Sequence, residues 1–600
     1  MPASRNDVAN RIGQAQALLK ERNLAACLVP SSDPHLSEYL PERWQGRQWL
    51  SGFTGSMATL VVTQDSAALF ADSRYWTQAE NELAGSGIAL VKVDTGASTH
   101  HIDWLAQRVG AGQTVVVDGM VLSLGAAQQL RLALEKVGAM LRTDLDLFNL
   151  IWPDRPELPG APVFEHDAAY VSVSRASKLA LVRETMATRG ASHHLVSTVD
   201  DIAWLLNLRG ADVSYNPVFL AHVVLDAHHA TLFVAAGKVS AELAARLDAD
   251  AVQIQPYEQA VSALRQLPPD VVMLLDPRRV TLGLRESLPP TAKVIEAINP
   301  SVLLKSRKNA AEAAHVRDAM AQDGAAMCEF YAWFEAALGH ERITELTVDE
   351  RLSAARAQRP GFVGLSFNTI AGFNANGAMP HYRATPESHA VIEGNGLLLI
   401  DSGGQYLGGT TDITRVWPIG TPSAAQKRDY TLVLKGTLAL SRAHFPLGTL
   451  SPMLDAIARL PLWEQGLDYG HGTGHGVGYF LAVHEGPQSI SKAIPDANMA
   501  MLPGMITSIE PGLYRAGKWG VRIENLVLNV VAPTDEPFGD FLAFETLTLC
   551  PIDTRCIDKT LLRADEIDWL NQYHATVRAR LAPLVAGPAL DWLMRRTEPI

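Results

Sequence analysis

Cysteine is scarce in this chain: four occur in 600 residues, Cys27, Cys328, Cys550 and Cys556, with no CxxC spacing. That excludes a disulfide framework and thiolate-rich structural zinc, and it suits a reducing cytosol. Long apolar runs are also missing. None approaches the roughly 18 residues of a membrane span, and the opening MPASRNDVANRIGQAQALLKER reads as a polar-apolar helix without an apolar signal core. Membrane insertion and secretion are therefore not expected, and a cytoplasmic location is. Basic residues are outnumbered, 51 Lys and Arg against 64 Asp and Glu, for a net charge of -13. This argues against a nucleic-acid phosphate track or an anionic membrane as the main partner. What is abundant is apolar material, 47% of residues. A chain this long exceeds one core and is expected to form about two to four domains.

Proline and glycine punctuate it. Trp152–Pro162 (WPDRPELPGAP) cannot continue a helix or a central strand and reads as a linker. A second break is expected near Asn299 and Pro300. The two stretches before that break share an order of motifs. LVPSSDPH, WLSGFTGS and TLVVTQDSAALFADSR in the first have counterparts in LVSTVDDIAWLLNLRGADV and VVLDAHHATLFVAAGK in the second. In each, an acidic turn, a Trp-Leu element and two β-rich runs follow one another, which predicts a duplicated α/β domain. From Lys308 to Leu338 the chain is Ala-rich with apolar positions at helical spacing, predicting a long amphipathic helix. Strand-like GLLLID, TTDITRVW, ITSIEP and VRIENLVLNVV come after it.

Five residues in that last region carry the chemistry. Asp401 and Asp412 bracket DSGGQYLGGTTD, His475 lies in GHGTGHGVG, Glu510 in SIEPG and Glu524 in VRIEN. A strand ending at Asp401 turns through Tyr406 to Gly409 and returns with Asp412 on the next strand, a hairpin able to bring the aspartates together. Taken alone, two acids at a Gly-rich turn are more often turn chemistry. His471 and His475 sit four apart, but Gly470, Gly472, Gly474, Gly476 and Gly478 cost about 1 kcal/mol each in a helix, so a loop is expected. Its spacing fits neither GxGxxG nor GxxxxGK[ST]. In VRIEN, alternation sends Val521 and Ile523 to one face and Arg522 and Glu524 to the other. A buried Glu524 is expensive unless paired or metal-bound. Four carboxylates with one imidazole suit Mn²⁺, Fe²⁺ or Co²⁺, and a metal pair can share a hydroxide as nucleophile.

The order Asp, Asp, His, Glu, Glu with these flanks resembles the pita-bread metallopeptidases. Along nearly its whole length the chain resembles the long, three-domain cytosolic aminopeptidase P family, through VPSSDPHLSEYLPER, SGFTGS, DSRYWTQA, DDIAWLLNLRGADVSYNPVF and DWLNQYHATV. The resemblance implies an α/β (α+β) fold: creatinase-like domains over residues 1–155 and 156–305, then a pita-bread catalytic domain over 306–600 with a C-terminal extension from about 551. It implies that Asp401, Asp412 and Glu524 hold one metal, and that Asp412, His475, Glu510 and Glu524 hold the other, two divalent ions with Mn²⁺ as the expected pair. Glu510 would be the general base or proton shuttle. His381 and His484 would donate to the scissile carbonyl or oxyanion, and His471, Tyr514 and Arg522 would bind substrate. The implied reaction is removal of an N-terminal residue from peptides with proline at the second position, by a homodimer without nucleic-acid or membrane partners. Three alternatives differ in testable ways: a prolidase restricted to Xaa-Pro dipeptides, a metal-free creatine amidinohydrolase, and a non-hydrolytic binding scaffold. Five intact ligand positions argue against the last two.

Overall fold

The computed structural model describes residues 5–94 and 98–600. Two compact units are present, one running to His166 and resuming over Val173–Ser301, the other comprising Asp167–Ser172 and Val302–Ile600.

The first unit contains two six-stranded sheets. Their strands lie in the orders Ala89–Val93, Ala67–Asp72, Thr59–Thr63, Ala26–Pro30, Thr114–Val116, Met140–Arg142 and Val252–Pro256, Ala230–Val234, Ala221–Leu225, His193–Val196, Val272–Leu275, Lys293–Glu296. Successive neighbours are parallel, antiparallel, antiparallel, parallel and parallel in both sheets. The repeated motif order is thus a repeated topology. Each Trp-Leu pair sits in a helix, Gly46–Ser51 or Val199–Leu206. Leu28, Val61 and Val115 of the first sheet share one apolar cluster with Leu195, Met273 and Leu275 of the second. Burial of that common surface, at about 25 cal/mol per Å², joins the repeats into one unit.

Trp152–Pro162 carries neither helix nor strand, as its prolines dictate. The break expected near Asn299 and Pro300 coincides with the start of helix Pro300–Ser306, because proline's fixed φ suits a first helical turn.

In the second unit, helix Ala310–Ala337 is capped by Asn309 in a reciprocal box with Glu312. It differs from the amphipathic helix expected. Asp323–Cys328 are buried at six consecutive positions, so no face there meets solvent. Small residues permit this: a side chain on Gly324 would collide with the carbonyl of Leu549 and press on Leu581. The buried Asp323 is satisfied by Arg356 at 2.7 Å and the Tyr406 hydroxyl at 3.0 Å. Around this helix pack an antiparallel sheet of Ile370–Phe373, Gly396–Ser402 and Ile413–Ile419, and a six-stranded sheet ordered His444–Pro446, Phe541–Thr546, Asn525–Ala532, Ile506–Ile509, Gly474–Gly476, Glu485–Ile490. Hairpin Gly512–Arg515/Trp519–Arg522 lies between the last pieces in sequence. The mixed α/β (α+β) architecture agrees with the expected fold class. No described helix is long and apolar enough to cross a membrane.

Candidate metal centre

Asp401 lies on the fully buried strand Gly396–Ser402, opposite Thr414. The returning strand begins at Ile413, so Asp412 immediately precedes it rather than standing on it. The expected turn is itself a small hairpin, Gly404–Tyr406 against Gly409–Thr410. Gly403 allows the two arms to close, since a Cβ there would collide with the Thr411 carbonyl. His475 occupies a three-residue strand, Gly474–Gly476, where a loop was expected. Glycine makes the strand possible: a Cβ on Gly474 would strike the Ser508 carbonyl, and one on Gly476 the Glu485 carbonyl. Glu510 follows Ile506–Ile509 directly. Val521 and Ile523 enter the apolar cluster, whereas Arg522 and Glu524 turn toward the acids, buried to 3% and 1% exposure. Both faces are therefore internal, and a solvated polar face is excluded.

His475 Nε2 stands 3.5 Å from Asp412 Oδ2 and 3.3 Å from Glu510 Oε1. Its Nδ1 lies 3.0 Å from the Gly476 carbonyl, which assigns the proton to Nδ1 and leaves Nε2 as the donor atom facing the acids. Asp412, His475 and Glu524 each offer a ligand atom within 4.8 Å of the other two. Arg522 Nη2 donates to Asp401 Oδ2 at 2.5 Å, and Thr414 Oγ1 to Glu524 Oε2 at 2.7 Å. The remaining oxygens, Asp401 Oδ1 and Glu524 Oε1, are buried without a hydrogen-bond partner. Orphaned buried carboxylate oxygens are costly. Hard divalent cations would satisfy such oxygens, and the donor set of carboxylate oxygens and one imidazole fits them.

Electrostatics agree. Burial, opposed by Arg522 and reinforced by Asp412, pushes the Asp401 carboxyl up to about 7. Burial and the neighbouring Asp412, Glu510 and Asp401 carboxylates raise Glu524 well above the ordinary range. Glu510 is raised by burial against the pull of His475. Burial disfavours the His475 imidazolium, but Asp412 and Glu510 outweigh it and lift the group to about 9. With protons as counter-ions these acids are driven toward neutrality; a divalent cation relieves the same repulsion and displaces those protons.

The other residues named from sequence cluster here to different degrees. Tyr514 Oη accepts from Arg522 Nη1 at 2.6 Å and lies 2.8 Å from His471 Nε2, so a hydrogen-bonded chain runs His471, Tyr514, Arg522, Asp401. His484 is exposed, its ring edge-on to His475 with centroids 4.2 Å apart. His381 is half-buried and follows Pro380, whose carbonyl accepts from Arg522 at 3.3 Å.

Three supports escape the sequence reading. Thr414 anchors Glu524, and strand alternation with Asp412 was a usable signal for it. Ser508 Oγ accepts from the His475 N–H at 2.9 Å and donates to Glu510 Oε1 at 3.1 Å. Arg459 donates to Asp455 at 2.6 Å, the Tyr469 carbonyl at 2.8 Å and the His471 carbonyl at 2.7 Å. The local signal for Arg459 is its i, i+4 spacing from Asp455 on helix Asp455–Trp463, which does not point to the His471 carbonyl.

Comparison with known proteins converges on one family. The profile for Metallopeptidase family M24 matches residues 314–529 and its C-terminal region matches 540–600, while Creatinase/Prolidase N-terminal domains match 11–144 and 154–312. A probable Xaa-Pro aminopeptidase P of Laccaria bicolor is 38% identical over 607 residues, covering 99% of this chain and 94% of its own. Aminopeptidase P2 of Arabidopsis thaliana is 39% identical, covering 96% and 86%. A solved X-prolyl aminopeptidase from Caenorhabditis elegans, described as a cytosolic enzyme with a di-nuclear active site, superimposes with a TM-score of 0.93 at 32% identity over all of both chains. Identity of 38% and 39% to these relatives over nearly the whole chain, with the matched family models, shows that this chain belongs to metallopeptidase family M24, among the Xaa-Pro aminopeptidase P enzymes.

Proposed function

We propose that the chain is a dinuclear Xaa-Pro aminopeptidase acting on peptides with proline at the second position. In this reading Asp401, Asp412 and Glu524 hold one divalent ion; Asp412, His475, Glu510 and Glu524 hold the other, and Mn²⁺ is the expected metal. The observation that carries it is the pair of orphaned oxygens, Asp401 Oδ1 and Glu524 Oε1, in a chain similar throughout to aminopeptidase P. When bound, such a metal pair supplies the nucleophile, a shared hydroxide, at neutral pH.

The chain's own groups divide the remaining work. Glu510, a buried carboxyl with raised proton affinity, takes the proton of the hydroxide as it attacks the scissile carbonyl and delivers it to the proline nitrogen as the peptide bond breaks. His484 and His381 donate to the carbonyl oxygen as charge develops on it. His471, Tyr514 and Arg522 bind the proline side, and their mutual hydrogen bonds hold that wall in place. Proline lacks an N–H and has a fixed φ, so a cleft shaped to its ring gains both binding and selectivity.

We place the enzyme in the cytoplasm, supported by four free, buried cysteines and by the cytosolic description of the C. elegans relative. The domains are assigned as 1–155, 156–305 and 306–600, the last with a C-terminal extension from about 551. A homodimer is what the likeness to aminopeptidase P implies.

The test is hydrolysis of an Xaa-Pro-Yaa tripeptide and the matching Xaa-Pro dipeptide by metal-stripped protein, with and without Mn²⁺. Mn²⁺-dependent release of the first residue from the tripeptide is expected. Cleavage of the dipeptide alone means a prolidase, and no turnover with any divalent metal returns the chain to a binding scaffold.

A further inference from the structure

The DWLNQYH segment near the C-terminus has no part in the chemistry above, yet one of its side chains reaches the support of the metal centre. Tyr573, on helix Ala564–Leu581, is buried, and its hydroxyl lies 2.9 Å from Arg415 Nη2. Arg415 is 1% exposed. Its Nη1 donates to the carbonyls of Thr414 at 2.9 Å and Glu524 at 2.6 Å. Its Nε donates to the Pro551 carbonyl at 3.0 Å, and its Nη2 also meets Asn525 Oδ1 and the Cys550 carbonyl, each at 2.8 Å.

A buried guanidinium held by carbonyls, an amide and a phenol is costly to keep unless every donor is satisfied. Here that condition makes it a rigid clamp. Arg415 grips the main chain of Glu524, while the adjacent Thr414 grips that residue twice more: the Glu524 N–H donates to the Thr414 carbonyl at 3.2 Å, and Thr414 Oγ1 donates to Glu524 Oε2 at 2.7 Å. With backbone and one carboxylate oxygen held, Oε1 has one direction left, toward the acid cluster. Tyr573 in turn fixes the clamp. Its oxygen accepts from Arg415, and its own proton lies between the carbonyls of Cys550 at 2.8 Å and Thr548 at 3.0 Å. Phenylalanine fills the same space and does neither.

We propose that Arg415 and Tyr573 are positioning residues for Glu524, so that the C-terminal helix sets the geometry and affinity of the metal centre. This rests on the dinuclear reading above. Groups that orient ligands in this way typically govern metal affinity by about 10- to 100-fold.

The experiment compares metal-free wild type, Tyr573→Phe, Arg415→Lys and Val577→Ala, titrating Mn²⁺ by the electron paramagnetic resonance signal of the free ion and recording apo-protein Tm and kinetics at saturating Mn²⁺. Val577 is a buried apolar residue on the same helix and reports the effect of loosening it. Tyr573→Phe is expected to weaken Mn²⁺ binding about 10-fold, with kcat lowered and KM unchanged. Arg415→Lys should weaken it at least as much, and Val577→Ala should lower Tm while leaving Mn²⁺ affinity at the wild-type value. Wild-type affinity in Tyr573→Phe, or loss of affinity in Val577→Ala in step with its Tm, overturns the proposal. Wild-type protein that binds neither Mn²⁺ nor, by elemental analysis, Zn²⁺ or Co²⁺ overturns the dinuclear reading itself, and the two failures are distinct.

Discussion

Arg522 holds one oxygen of Asp401, Nη2 to Oδ2 at 2.5 Å, and leaves Oδ1 buried without a hydrogen bond. The carboxylate is thus half structural and half available as a ligand. Under the proposed assignment it serves a single ion. Asp401→Asn is expected to lower bound metal from two equivalents per chain to one, read by elemental analysis after dialysis. Retention of both equivalents excludes Asp401 from the ligand set.

Asp412 is proposed to serve both ions, and its Oδ2 lies 3.5 Å from His475 Nε2, with a ligand atom within 4.8 Å of both His475 and Glu524. Asp412→Ala should remove both metals and abolish turnover. Full activity in that variant refutes the bridging role.

His484 packs against His475 but is given no ligand role. His484→Ala should bind both metals as wild type does and lose about 10²-fold in kcat, the magnitude of removing one oxyanion donor. Loss of metal instead makes it a ligand or a ligand's support.

The pH dependence of metal-free protein has a definite sign. The Asp401 carboxyl, raised chiefly by burial from 3.8 to about 7, keeps a proton in the folded chain that the unfolded chain releases. Its contribution is complete below 3.8 and disappears as pH climbs through about 7. His475, for which Asp412 and Glu510 overcome burial to raise the group from 6.5 to about 9, contributes fully below 6.5 and loses that contribution through about 9. Both windows slope the same way. Calorimetric Tm of metal-free protein should fall between about pH 5 and about pH 9, and added Mn²⁺ should restore most at the alkaline end. A Tm that rises over this range is incompatible with the site's electrostatics.

Gly474 is set by contact rather than by flexibility, since a Cβ would strike the Ser508 carbonyl. Gly474→Ala should push the His475 strand from its neighbour, destabilise the protein by about 1–3 kcal/mol in urea unfolding, and reduce activity by more than the fraction unfolded. Unchanged stability shows that the strand adapts.

The sequence by itself determined the local faces and the chemical inventory. Period-two alternation placed Val521 and Ile523 opposite Arg522 and Glu524. Glycine density ruled out a helix at His471 and His475, and the motif order announced two sheets of one topology, because these properties depend on neighbours a few residues apart. Two local readings failed where packing intervened. The His475 segment is a strand because neighbouring strands on both sides of it accept glycine's bare backbone, and the Ala-rich helix is buried all round over Asp323–Cys328, where Leu549 and Leu581 close over Gly324. Only the tertiary structure decided that Arg522 would meet Asp401, 121 residues away, and that Tyr573 would reach Arg415 across 158. Such partners are chosen when strands and helices distant in sequence exclude water between them, and a buried charge then takes whichever hydrogen-bonding groups the packed chain brings within reach.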